Sequence, residues 1–333
     1  MLQPKILPPT QCIRGVLAPV VTPFKTDLSA DCERFIRHCQ WLFSQNCGLA
    51  VFGTNSEANS MAAEERSLLL EALVASGVDP ARVMPGTGCC SITETVELTA
   101  HAVKQGCAGV LMLAPFYYKQ VSEEGLYRYF SEVVQGVGDS RLKIYLYHIP
   151  SVAIVGVTPK LVERLLKAYP NTIAGMKDSS GDWNNTKTFL NAFAKNGFDV
   201  FVGSESFLLA NMRNGGVGTI SATANVNPAA IQKLYAAATA NVESPRSRKA
   251  TARLDLVGQQ ARLNVVREVF SSRKFPSMIA ALKQAIAIYG NDPEWTRVRP
   301  PLVELTIEQA NLLAAELKAI GFAMPAIGTK AEP

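Results

Sequence analysis

IAGMKDSSGD occupies residues 173–182. Ile173 to Met176 form a short apolar run bounded by polar turn residues, the pattern of a buried strand. Lys177 follows at once, inside that strand or at its end. A lysine is almost never fully buried unless something compensates its charge. Two readings stand open at this point. Either the strand stops at Met176 and Lys177 snorkels into water, or the strand delivers an amine to a chemically loaded place.

The same kind of run recurs along the chain. GVLAPVVTPF (15–24), GLAVFGT (48–54), VMPGTG (83–88), GVLMLAP (109–115), KIYLYHIP (143–150), DVFVGS (199–204) and GTISATAN (218–225) join IAGMKDS (173–179) as strand-like segments. Helical spacing fills the gaps. Phe35, Ile36, Cys39, Leu42 and Phe43 share one face, as do Leu161, Val162, Leu165, Leu166 and Tyr169. Ser29, Ser91, Ser122 and Thr158 read as N-caps, the last with Pro159 at the first helical position. Strands alternating with helices in this way predict an α/β fold, a (β/α)8 TIM barrel. A doubly wound sheet would be favoured by a glycine-rich phosphate loop after the first strand, but the chain reads VTPFKTDLS there, and it has no Walker loop.

From Asn227 onward the pattern is only helical. NPAAIQKLYAAATA reads as the eighth barrel helix, and 246–270, 276–289 and 306–320 as three more. The predicted organisation is a barrel catalytic domain over 12–240 and a C-terminal helical extension over 241–323 packed on it. Residues 1–11 and 324–333 read as loose tails.

The 333 residues are 48% hydrophobic and 18% charged, enough for one large core and against general disorder. A net charge of +5 is no nucleic-acid signature by itself. The densest basic run, PRSRKATAR (245–253), has no interleaved aromatics and reads as a solvated helix face. No apolar stretch reaches membrane-spanning length, and MLQPKILPPTQCIRG has no long apolar core of a signal peptide, so no membrane association is expected. Seven cysteines without a CxxC, and three scattered histidines, argue for reduced thiols in the cytoplasm and against a zinc site. His38 and His101 fall in helical patterns and read as structural.

In such barrels the chemistry stands at the C-terminal strand ends. Here those ends carry Thr22; Thr54, Asn55, Ser56 and Glu57; Tyr117 and Tyr118; Tyr147 and His148; Lys177 and Asp178; Ser204 and Glu205; Thr223 and Asn225. Lys177 therefore belongs to a face of converging hydroxyls and carboxylates. A partly desolvated amine there gains a usable lone pair and can attack a carbonyl to form a Schiff base. The protonated imine is an electron sink for an adjacent C–C bond. Tyr147 with Thr54 can move the proton this chemistry needs, and the turn at Thr54 and Asn55 can hold a 2-oxo acid's carboxylate. His148 and Asp178 alternate with Tyr147 and Lys177, so both should point away from the site.

GTNSE, PFYYK, YHIP, GMKDSSGD and GTISATANV, in this order and at these strands, resemble the dihydrodipicolinate synthase / N-acetylneuraminate lyase family of pyruvate-dependent Schiff-base lyases. The resemblance runs from about Gly15 to Pro301. It implies a cofactor-free, metal-free enzyme acting on a small 2-oxo acid. Lys177 would form the imine, Tyr147 would shuttle the proton and Thr54 would relay it. Tyr118 would reach a neighbouring subunit's site in a homotetramer.

The departures from the family pattern bear on substrate. GTNSE stands where GTTGE is common and is similar to the GSNGE of 4-hydroxy-2-oxoglutarate aldolases; PGTGC, GMKDSSGD and GSESFL also resemble that branch. Ser56 replaces a glycine of the turn. Val152 stands where synthases of the family carry a dicarboxylate-binding arginine. Ser206 replaces the second acid of the neuraminate lyases, and Ser179 lies where that branch has a hydroxyl near substrate. The expected activity is cleavage or formation of 4-hydroxy-2-oxo acids or 2-oxo-3-deoxy sugar acids, with Asn55, Ser179, Ser204 and Glu205 as substrate contacts. Three alternatives stay open: 4-hydroxy-tetrahydrodipicolinate synthase, a 2-oxo-3-deoxy acid dehydratase, and a non-catalytic metabolite-binding barrel. Tyr147, Tyr117, Tyr118 and Glu205 each have a bland reading too, as packing, interface or solvated loop residues.

Overall fold

The computed structural model describes residues 12–243 and 255–324. The basic run at 245–253 and both tails therefore lie outside the described residues, apart from Met324.

The strands are β1 (Gly15–Ala18), β2 (Gly48–Leu49), β3 (Val110–Leu113), β4 (Ile144–His148), β5 (Ile173–Asp178), β6 (Asp199–Val202) and β7 (Gly218–Ile220). All pairings are parallel, in the order β2-β1-β7-β6-β5-β4-β3. The ring closes through residues 83–86, the expected third strand. Leu49 bridges Val83 and Gly86 bridges Leu111, both parallel. Met84 N–H donates to Leu49 O (2.8 Å), Gly86 N–H to Val51 O (2.7 Å) and Leu111 N–H to Pro85 O (2.9 Å). Pro85 has no N–H to add to the ladder, so this rung stays irregular. Gly86 is required where it stands, because a Cβ there would meet Phe52 O at 2.3 Å.

The regular strands are shorter than the apolar runs. Their polar ends turn out of the sheet: Thr54–Ser56, Glu205–Phe207 and Ala222–Asn225 are short 3₁₀ turns. Side chains alternate between two cores, as strand geometry demands. Leu17, Met84, Leu111, Tyr145, Tyr147, Phe201 and Ile220 fill the barrel. Ile144, Leu146, Met176 and Val200 face the surrounding helices.

Those helices are α1 (Cys32–Ser44), α2 (Ala63–Ala75), α3 (Ile92–Lys104), α4 (Glu123–Val137), α5 (Pro150–Ala153), α6 (Pro159–Ala168), α7 (Trp183–Phe193), α8 (Leu208–Arg213) and α9 (Pro228–Glu243). Ser91, Ser122 and Thr158 cap α3, α4 and α6 as expected. Ser29 does not cap α1; it hydrogen-bonds Asp27 instead, and Asp31 takes the cap by accepting from Arg34 N–H. The extension contributes α10 (Leu256–Phe270), α11 (Met278–Gly290) and α12 (Ile307–Ala319). No described helix is long and apolar enough to cross a membrane.

Candidate active site

Tyr147 and Lys177 are register partners on β4 and β5. Both fall on the inward parity of their strands, one position before each strand ends. Lys177 is buried at 4% exposure, so the snorkelling alternative is set aside. Its Nζ lies 4.3 Å from the centre of the Tyr147 ring. The Tyr147 hydroxyl stands 3.4 Å from Thr54 Oγ1. Burial pushes the Tyr147 phenol up, but the charge of Lys177 and hydrogen bonds from Thr54, Lys177 and Ser179 outweigh it, leaving its pKa below the ordinary value.

These groups open into a cavity of about 360 Å³ at the C-terminal mouth of the barrel. Thr54, Asn55, Tyr147, Lys177, Ser179 and Ser204 all line it, so six of the eight residues expected from the sequence converge. The volume suits a small metabolite. The backbone N–H groups of Thr54 and Asn55 donate to no protein acceptor among the described residues. Ser56 holds this turn in place: its Oγ donates to Val20 O (2.5 Å), and Thr22 Oγ1 donates to Ser56 O (2.8 Å).

His148 faces outward, as the alternation required, while Asp178 turns its carboxylate toward α7 and still borders the cavity. His148 Nδ1 accepts from Val157 N–H (2.9 Å). Asp178 accepts from Thr186 Oγ1 (2.6 Å), Asn185 Nδ2 (3.1 Å) and Ser180 N–H (2.9 Å), which ties the end of β5 to α7.

Two expected site residues do not line the cavity. Tyr118 is 74% exposed and packs edge-on against the equally exposed Tyr117, with ring centres 5.2 Å apart. Glu205 is 1% exposed, and its carboxylate is already filled: Ser221 Oγ and Thr223 Oγ1 donate to it, and Arg267 Nη1 stands 2.9 Å away. A direct contact from Glu205 to a substrate hydroxyl is thereby corrected to an internal counter-ion for Arg267.

Arg267 was not singled out from the sequence, yet it lines the same cavity as Lys177. It comes from α10, in the extension. Gln260, Asn264 and Arg267 form a polar stripe at i, i+4, i+7 on that helix. Gln260 receives Leu209 N–H (3.0 Å) and donates to Glu205 O (2.8 Å), which seats the stripe over the turn after β6. The stripe was the one available signal. Met278 of α11 also lines the cavity. The division at 240/241 thus leaves the site shared between barrel and extension.

A second tie from the extension is buried. Lys283 Nζ on α11 donates to Glu57 Oε1 (2.5 Å) and Arg297 O (2.6 Å), with both ion-pair side chains fully buried. Arg299 N–H donates to Glu57 Oε2 (2.7 Å). Glu57 itself sits at φ 58, in the left-handed region, and closes the turn that carries Thr54. Burial lowers the Lys283 pKa to about 8 against the pull of Glu57. Among the described residues, no group of three or more His, Cys, Asp or Glu side chains is arranged to hold a metal.

Residues 12–320 match the Dihydrodipicolinate synthetase family. An uncharacterized DapA-like lyase from Chloroflexus aurantiacus is 30% identical over 92% of this chain and 97% of its own length. A 4-hydroxy-tetrahydrodipicolinate synthase from Thermus thermophilus is 40% identical over 65% of this chain and 70% of its own length. Among solved structures, YagE, a prophage protein of the dihydrodipicolinic acid synthase family from E. coli K12 in complex with pyruvate, superposes with a TM-score of 0.81 at 26% identity, covering 93% of this chain and 99% of the other. The chain belongs to the dihydrodipicolinate synthetase family. It is an enzyme, a lyase on a TIM barrel.

Proposed function

We propose that the chain is a Schiff-base aldolase for 4-hydroxy-2-oxo acids or 2-oxo-3-deoxy sugar acids, with pyruvate as the common product or donor. The observation that carries this reading is the pairing of buried Lys177 with Tyr147 across adjacent strands, at the mouth of one cavity. The Lys177 amine adds to the C2 carbonyl and water leaves, giving an iminium. Tyr147, steadied by Thr54, takes the proton from the C4 hydroxyl. The C3–C4 bond breaks, its electron pair enters the iminium and an aldehyde departs. The resulting enamine takes a proton at C3, and water hydrolyses the imine to free pyruvate and restore the amine. The lysine imine is itself the electron sink, so this route calls for no cofactor. The Thr54 and Asn55 turn binds the C1 carboxylate, and Ser179 and Ser204 contact the tail.

Borohydride reduction with pyruvate present tests the assignment: one pyruvate-derived group per chain should appear, on Lys177. Labelling elsewhere, or full turnover in Lys177→Ala, overturns it.

The synthase reading is favoured by the names of relatives such as that from Thermus thermophilus. One feature weighs against it. Both nearby carboxylates, Asp178 and Glu205, are engaged internally, so the ammonium of aspartate semialdehyde meets no free acid. Coupled assays for released pyruvate and for the synthase product, run on one preparation, separate the two.

The exposed Tyr117–Tyr118 pair supports a homotetramer in which Tyr118 crosses to a neighbouring site. A fully active monomer in light scattering contradicts that. Free thiols at all seven cysteines support a cytoplasmic, reducing setting; a native disulfide in protein isolated from its source counts against it.

A further inference from the structure

The cavity has a second cation, and its wall is rich in donors. Arg267 Nη1 is held by Glu205 Oε2 at 2.9 Å and Ser221 Oγ at 3.3 Å. Nε and Nη2 of the same guanidinium have no protein acceptor among the described residues, and the side chain keeps 21% of its exposure. A guanidinium fixed at one nitrogen, with the rest of its planar fork open, is pre-organised for a two-oxygen anion.

The neighbouring groups point the same way. Ser204 Oγ accepts from Ser206 N–H (3.2 Å), which leaves its O–H free to donate. Asp178 and Glu205, the carboxylates that could accept from a sugar's hydroxyls, are each already engaged by three protein donors: Ser180 N–H, Asn185 and Thr186 on the first, and Ser221, Thr223 and Arg267 on the second. A polyhydroxyl tail could use the hydroxyls of Ser179 and Ser204 and the amide oxygen of Asn55 as neutral acceptors, whereas a carboxylate, which only accepts, is the group that fits the open face of Arg267.

We propose that Arg267, positioned by Glu205, is the specificity determinant of this site, and that it binds a distal carboxylate on the aldehyde-derived half of the substrate. The preferred substrate class is then a 4-hydroxy-2-oxo dicarboxylic acid, whose cleavage releases pyruvate and an aldehyde that keeps the distal carboxylate. This rests on the Schiff-base aldolase reading. It also explains how position 152 can be valine: the cation comes from α10 in the extension instead of from the segment after β4.

The test compares pyruvate release from 4-hydroxy-2-oxoglutarate and from 4,5-dihydroxy-2-oxopentanoate, in which a neutral CH₂OH replaces the distal carboxylate. The wild-type protein should favour the diacid by roughly 10²-fold or more in kcat/KM, the scale set by a buried charge-paired contact. In Arg267→Lys, which loses the fork but keeps a charge beside Glu205, that ratio should fall at least about tenfold. In the double variant Glu205→Gln/Arg267→Met, which leaves no buried charge unpaired, it should collapse toward one. Borohydride trapping of pyruvate on Lys177 is measured on each protein in parallel. Trapping retained with an unchanged substrate ratio in the double variant, or a wild-type preference for the neutral substrate, overturns the assignment of Arg267 and leaves the aldolase reading intact. Failure of wild-type trapping instead overturns the aldolase reading, and the Arg267 assignment falls with it.

Discussion

Lys283→Met should destabilise the protein far more than a typical surface change and should impair turnover, although residue 283 does not line the cavity. In the folded chain Lys283 Nζ and Glu57 Oε1 are 2.5 Å apart and fully buried. Removing one partner of such a pair costs about 3–5 kcal/mol, because the other charge is left in a low-dielectric place. The substitution also forfeits the 2.6 Å bond to Arg297 O and the ammonium's contact with the Phe24 ring, 4.4 Å from its centre. The lower end of that range is about 3 kcal/mol. Methionine conserves most of the stem, so a cavity adds little. At about 2–4 °C per kcal/mol for a large domain, Tm should fall by about 6–12 °C. Glu57→Gln/Lys283→Met leaves an amide that still accepts from Arg299 N–H and should recover at least about 2 kcal/mol of the loss, a clear non-additivity. Glu57 closes the turn carrying Thr54, so kcat/KM of Lys283→Met should fall about tenfold or more, the sensitivity expected of misplaced relay groups. Thermal melts and initial rates on the two single variants and the double variant decide it. A Tm drop under about 2 °C, or additive losses, refutes the claim that this pair locks the turn.

Two other outcomes follow from the geometry. Tyr147→Phe should keep the fold and the trapping of pyruvate on Lys177 while lowering kcat by roughly 10²–10⁴-fold; a two- or three-fold fall would make Tyr147 a packing residue. At the opposite end of the barrel, burial pushes the Asp199 carboxyl up to about 6 from its ordinary 3.8, with Arg14 pulling the other way. The folded chain therefore holds a proton the unfolded chain releases between these values. Its stabilising contribution is fully present below about pH 4 and is lost as pH rises through about 6, for at most about 3 kcal/mol. Comparing urea midpoints with Asp199→Asn should show the wild type's relative advantage shrinking from pH 4 to pH 7; a gap independent of pH contradicts the assignment.

Much of this protein is legible in one dimension because its determinants are local. Strand parity placed Tyr147 and Lys177 inward and His148 outward, since side chains on a strand alternate with a period of two. Cap chemistry marked the starts of α3, α4 and α6 through single side chains that bond N–H groups three residues on. Alternation of strand and helix predicted the barrel, even where Pro85 breaks the third rung into isolated bridges.

What the chain alone did not reveal depends on contacts between segments far apart. Glu205 read as a free acid at a strand end. Only the folded chain brings Arg267, 62 residues away, against it and turns it from a substrate contact into a counter-ion. Ser29 lost the cap of α1 to Asp31 because Asp27 captured its hydroxyl and Arg34 engaged Asp31 from both side chain and backbone. Lys283 sits in an apolar helix with no local sign that Glu57, 226 residues earlier, will receive its charge. Periodicity can say which face of an element is buried, but the partner of a buried charge is chosen by packing, and that is where the tertiary structure decided the site.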